Sequence, residues 1–307
     1  MLRYVSKRTM HSLVALIGLL VLVFFLSRLT GDPAYLYLPL DSTEAQRQAF
    51  NEMHGFDDPI FVQFLRYLGD LARLDFGMSL SRNVPAMDAA LQAFPQTLKL
   101  AAIAMSLSLI FAIVVGSLAA AGPGSIFDRT ATTASLAGAS APDFWVAIVA
   151  ILVFSVSMGL LPTSGTGTAL HWIMPVAVLM LRPFGVLTQV VRGSMIGVLS
   201  APYIKTARAK GVARRKIIFV HSLRNAMLPV ITVAGDLTAG LINGAVVIET
   251  IFGWPGNGAL MIDAIMRRDF ALIQSTILVT AMAIFILNIV IDLIYAALDP
   301  RIRHQTA

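Results

Sequence analysis

Residues 203–229 read YIKTARAKGVARRKIIFVHSLRNAMLP, and the reading of this stretch decides the fold. It carries Lys205, Arg208, Lys210, Arg214, Arg215, Lys216 and Arg224 without a single acidic residue. Strongly apolar segments flank it on both sides, which makes it a polar, basic island between two membrane spans. Around Gly211 it predicts a helix, a turn and a second helix. Ala207, Ala209 and Lys210 favour helix, and Gly211 admits a turn conformation that other residues resist. Pro229 is expected to open the next helix. Arg214, Arg215 and Lys216 read as topology determinants or contacts to anionic lipid.

Composition supports a membrane protein. The 307 residues are 57% hydrophobic and 13% charged, and the mean hydropathy is +0.78. Several apolar runs reach the roughly 20 helical residues that cross a bilayer. The chain has no cysteine, so disulfides and thiolate metal sites do not arise. The net charge of +6 would suit nucleic acid, but in a membrane protein it reflects basic cytoplasmic loops, and no nucleic-acid partner is expected.

Working outward from the island, the apolar runs predict six spans in a single transmembrane domain, 1–307. They lie at about 9–29, 98–121, 134–160, 171–193, 228–252 and 274–297, with the fourth interrupted at Arg182-Pro183. Residues 30–97 form a polar loop with nine acidic residues against four arginines, large enough for short helices. The loop 122–133 is short, and 161–170 is uncharged and turn-rich. Residues 200–227 are the basic loop. Lys and Arg concentrate at the N-terminus, in 122–133, in the island and in the tail. Positive charge stays inside, so both termini are expected to be cytoplasmic and residues 30–97 external.

Further segments follow one another along the chain, and their order and spacing carry a resemblance. They are Gly31-Asp32-Pro33-Ala34, His54-Gly55-Phe56-Asp57-Asp58-Pro59, Leu74-Asp75-Phe76-Gly77-Met78-Ser79 and Pro95-Gln96-Thr97-Leu98. Pro142-Asp143-Phe144-Trp145, Leu161-Pro162-Thr163-Ser164-Gly165 and Arg224-Asn225-Ala226 follow. Glu249 to Gly256 and the Asp299-Pro300-Arg301 tail complete the series. With these, the whole chain resembles the first permease subunit of peptide/nickel-type ABC importers, the dipeptide/oligopeptide permease B-like group. The island is similar to the cytoplasmic coupling loop of such permeases, with Lys205-Thr206-Ala207 standing where the general pattern has Glu-Ala-Ala.

The resemblance implies an all-α integral membrane protein of the type I ABC-importer permease fold. It implies a homologous second permease, two cytoplasmic ATPases that bind ATP and Mg, and an extracytoplasmic solute-binding protein. The expected location is a bacterial or archaeal cytoplasmic membrane. The expected cargo is peptide, with nickel chelates, glutathione or opine-like compounds as alternatives by the same mechanism. An ion-coupled secondary carrier is a distant alternative, because it would need buried acidic relays. Tyr203, Lys205, Thr206, Ala207, Lys210 and Gly211 are the expected ATPase-coupling residues.

No enzyme is expected in this chain. A phosphate-binding P-loop needs Lys directly after Gly, and no lysine here follows glycine. HExxH and GxSxG patterns are likewise missing, and the five scattered histidines predict no metal site. Ionisable residues inside spans are costly and therefore informative. Arg182 and Asp236 are candidates for the substrate path, with a mutual salt bridge as the competing reading.

Overall fold

The computed structural model describes residues 2–29, 31–32, 34–39, 41–73 and 75–298. The Asp299-Pro300-Arg301 tail, Pro33 and Leu74 lie outside the described residues.

The chain is helical nearly throughout. In order it forms α1 (Leu2–Leu29), α2 (Ala34–Tyr37), α3 (Glu44–His54) and α4 (Ile60–Ala72), and then a small hairpin of β1 (Met78–Ser79) and β2 (Val84–Pro85). Next come α5 (Ala86–Ala120), α6 (Ile126–Ser140), and α7 (Asp143–Ala150) with wide π-helical turns over Ile151–Ser157. The chain continues through α8 (Leu170–Leu199), α9 (Pro202–Ala209), α10 (Arg214–Lys216) and a π-helical stretch, Ile217–Ser222. It ends in α11 (Leu223–Ile251), α12 (Asn257–Met266) and α13 (Phe270–Leu298).

Among the described residues, four helical stretches are long and apolar enough to cross a membrane alone: Ala86–Ala120, Leu170–Leu199, Arg214–Ile251 and Phe270–Ile291. The pair α6 and α7, bent by 103°, makes a fifth. The apolar Val14–Leu29 part of α1 falls where the first span is expected.

Local chemistry corrects several expected boundaries. The third span is broken, not continuous over 134–160. Pro142 lacks an N–H and pushes the preceding residue out of the helical region, and Ala141 is extended at φ −70, ψ 134. Much of the 122–133 loop is helix, started by Ser125 accepting from the Asp128 N–H. Arg182-Pro183 does not interrupt α8, which carries Pro175 and Pro183 within one helix. Pro229 sits inside α11, not at its start. Membrane helices tolerate internal proline because neighbouring groups take up the freed carbonyls.

The residues cluster into two compact units. One comprises 1–97 and 255–289, and its polar segments interlock. Asp32 accepts from Asn51 at 3.0 Å and from the Ala34 N–H, and its carbonyl accepts from Arg268 at 2.9 Å. Asp269 is fully buried and pins the hairpin, accepting from the Ser79 and Ser81 hydroxyls at 2.6 and 2.7 Å and from the Ser81 N–H at 2.9 Å. Phe24 stacks on Tyr67 at 5.1 Å and packs against Phe64 at 5.2 Å, which joins α1 to α4. His54 is a packing residue, lying between Phe50 and Phe56.

The other unit is centred on 98–254. Its core is α8, whose Leu187, Val191 and Met195 are fully buried. Lipid tails are as apolar as leucine, so helices in a membrane associate through small residues that allow close backbone approach. Ser135 and Ala139 of α6, four residues apart, form such a stripe against Gly185 of α8. A Cβ at Gly185 would stand 2.3 Å from the Ser135 carbonyl oxygen. On α5, Gly116 fits similarly against Thr188 and Val191. Where two of the quoted segments meet, the Gly165 N–H donates to the Phe252 carbonyl at 2.8 Å, and Trp172 sits edge-on to Trp254 at 4.4 Å.

Candidate functional site

The basic island folds as the local rules require. Pro202 occupies the first turn of α9, where its missing N–H costs nothing. Helix α9 ends at Lys210, and Gly211 takes φ +73. The Val212 N–H donates to the Ala207 carbonyl at 3.2 Å and the Gly211 N–H to the Arg208 carbonyl at 3.0 Å. These are the two bonds of a Schellman turn, which needs a left-handed residue and so selects glycine. The chain then turns through Ala213 into α10 and on to α11.

Tyr203, Lys205, Thr206, Lys210 and Gly211 are exposed, and Ala207 is half-buried. Ile204 is fully buried on the opposite face and anchors the short helix. Two polar contacts fix α9 and α10 against the spans. The Asn225 amide donates to the Tyr203 hydroxyl at 2.9 Å and to the His221 carbonyl at 3.0 Å. Arg214 donates to the Ala121 carbonyl at 2.8 Å. The result is a short, exposed, cationic helix with small residues at its C-terminal end, tied at several points to long apolar helices. Such an element can transmit a push from a docked partner. Asn225 was visible only as part of a quoted segment, and nothing in the sequence joined it to Tyr203, 22 residues away.

Asp128 and Arg192 form a second fixed point. Arg192 donates to Asp128 through Nε at 2.5 Å and Nη2 at 2.8 Å, and Asp128 also accepts from the Gly124 N–H. The pair clamps the start of α6 to the last turns of α8. Asp128 falls in the expected 122–133 loop, and nothing in the sequence joined it to Arg192, 64 residues on.

Arg182 and Asp236 are both exposed on this chain, and among the described residues no ion pair joins them. Arg182 lies within electrostatic range of Asp143, in the first turn of α7, without forming an ion pair with it among the described residues. Gly244 of α11 borders the same carboxylate, and a Cβ there would be 4.0 Å from Asp143 Oδ2. Asp143 was quoted in the sequence only as part of Pro142-Asp143-Phe144-Trp145. The break at Ala141-Pro142, which sets its position, follows from the proline, but which charge it would face did not. Among the described residues no group of three His, Asp or Glu side chains is placed to hold a metal ion.

A helical permease with an exposed basic helix between its fourth and fifth spans is the class that fold and site define. A family model described as the binding-protein-dependent transport system inner membrane component matches residues 112–304. The chain belongs to this family, and it is a permease subunit of an ABC importer.

The oligopeptide transport system permease protein AppB of Bacillus subtilis is 36% identical over 316 residues, covering 99% of this chain and 100% of that protein. The di/tripeptide transport system permease protein DppB of Pseudomonas aeruginosa is 38% identical over 336 residues, with the same coverage. The glutathione transport system permease protein GsiC of Escherichia coli is 36% identical over 306 residues, also at 99% and 100%. Two solved structures share the fold. A methionine ABC transporter, MetNI in an inward-facing form, gives a TM-score of 0.56 at 16% identity over 70% of this chain and 98% of that one. An amino acid ABC transporter with histidines gives 0.53 at 11% identity over 68% and 94%.

Proposed function

We propose that this chain pairs with a homologous permease to line the translocation path of a peptide importer. In that reading an external binding protein delivers the cargo, and two cytoplasmic ATPases, which bind the ATP and Mg, drive transport. Near-complete coverage by oligopeptide and di/tripeptide permeases is the observation that carries it. The glutathione permease among the relatives supports short peptides, because glutathione is itself a tripeptide with free carboxylates.

Within this reading both termini and the island face the cytoplasm, and α9 is the lever against the ATPase. Tyr203, Lys205, Thr206 and Lys210 present its outer surface, and its cations complement acidic groups on a partner. Ala207 and Gly211 allow close approach. Arg182, Asp143 and Asp236 supply charges along the path for the ammonium and carboxylate of a peptide.

The test is stimulated hydrolysis in the assembled importer. Gly211→Asp and Ala207→Asp should leave the chain inserted and paired with its sister permease, while uptake and binding-protein-stimulated ATP hydrolysis fall sharply. Gly211→Asp places a branched polar side chain at φ +73. Normal stimulated hydrolysis in both variants would refute the docking assignment.

A further inference from the structure

Behind α9, on the side away from its exposed face, lies a cavity of about 670 Å³ within the 98–254 unit. Its floor is apolar, formed by Ile196, Leu199, Ile217 and Ile218, and two arginines, Arg208 and Arg214, line it. Arg208 is four residues beyond the buried Ile204 and lies over the same face, where its side chain borders the cavity and stays exposed at its mouth. The bond from Arg214 to the Ala121 carbonyl holds that guanidinium at the cavity wall. No acidic residue lines the cavity, and among the described residues no carboxylate pairs with either arginine. Flanking segments carry outward apolar side chains, with Ile126 83% exposed and Val220 54% exposed.

Two cations over an apolar floor require a ligand that is anionic at one end and hydrocarbon at the other. We propose that this cavity is a site for one anionic phospholipid of the inner leaflet, its phosphate between Arg208 and Arg214 and its chains along Ile196, Leu199 and the exposed apolar side chains. Basic pockets between membrane helices on the cytoplasmic side bind such headgroups. The lipid fills the space between the short helix and the ends of α5 and α8, so it steadies α9 for docking. This inference rests on the cytoplasmic placement of the island proposed above.

The test uses the full chain in phosphatidylcholine nanodiscs, titrated with phosphatidylglycerol. Bound lipid is counted by native mass spectrometry and Tm is followed in parallel. Wild type should bind phosphatidylglycerol saturably, with a rise in Tm. Arg208→Gln and Arg214→Gln should each weaken that binding about fivefold; Arg208→Gln should melt like wild type in phosphatidylcholine alone, whereas Arg214→Gln also loses the bond to the Ala121 carbonyl and should melt somewhat lower there. Arg215→Gln removes the same charge from a neighbour that is exposed like Arg208 and Arg214 but does not line the cavity, and should bind as wild type does.

Equal weakening by Arg215→Gln would mean a diffuse positive surface and overturn the site. Equal protection by inorganic phosphate would make it a bare anion site and overturn the lipid. Displacement of the lipid when ATPase subunits bind would assign the cavity to them instead. The membrane side is checked separately with Arg214→Cys in this cysteine-free chain. Labelling from outside would overturn the orientation, whatever the nanodiscs report.

Discussion

Gly185 is where α8 meets α6, and Gly185→Ala is the sharpest test of how this unit is packed. The added Cβ would lie 2.3 Å from the Ser135 carbonyl oxygen and 2.9 Å from both the backbone nitrogen and the Cβ of Ala139. Ordinary carbon–oxygen contacts begin near 3.3 Å, so the helices must part by about 1 Å. No flexible side chain can yield, because two of the three atoms belong to the facing backbone. Overpacking of this kind costs about 1–3 kcal/mol, and a contact against backbone belongs at the upper end. Alanine's better helix propensity returns only about 1 kcal/mol. A net loss near 2 kcal/mol corresponds to a Tm lower by roughly 4–8 °C, at about 2–4 °C per kcal/mol. The assay is thermal unfolding of the purified chain in detergent, followed by size-exclusion and intrinsic fluorescence. Gly193→Ala in the same helix is the control. Nothing lies within 4 Å of that position, so this variant should match or exceed wild type. A Gly185→Ala protein as stable as the control would refute the close α6–α8 approach.

Three further outcomes are expected. Asp128 and Arg192 form a part-buried pair, with side-chain exposures of 4% and 27%. Asp128→Asn or Arg192→Gln alone should cost on the order of 3 kcal/mol, and the double variant should recover much of it; strict additivity in the double-mutant cycle would contradict the clamp. Asp269→Asn takes the carboxylate from three donors, each such bond being worth about 1.5–3 kcal/mol, so the 78–85 hairpin should become sensitive to limited proteolysis, and unchanged protection would contradict the anchoring. In the assembled importer, Arg182→Gln and Asp143→Asn should couple, whereas Arg182→Gln and Asp236→Asn should add; coupling of Arg182 with Asp236 in uptake or stability would restore their mutual salt bridge.

How much was legible in the sequence follows from the range of each interaction. Apolar runs long enough for a bilayer, the basic island and the turn at Gly211 are local properties, set by side-chain transfer and by glycine's freedom at positive φ. They therefore located the apolar segments and the exposed helix before any contact was known, while the family came from the resemblance carried by the quoted segments. The island's own Schellman turn closes within six residues, so it too could be read directly. What only the tertiary structure decided are the pairings between distant residues: Arg192 with Asp128, Asn225 with Tyr203, and Asp269 with the Ser79 and Ser81 hydroxyls; it also put Asp143 within electrostatic range of Arg182. A charge in a span announces that it needs a partner, but its energy depends on distance, and distance is set by how helices cross. Here the proline at 142 and the small residues at 135, 139 and 185 mark where a break and a close approach can form, but which helix faces meet there is set by the packing of the whole unit.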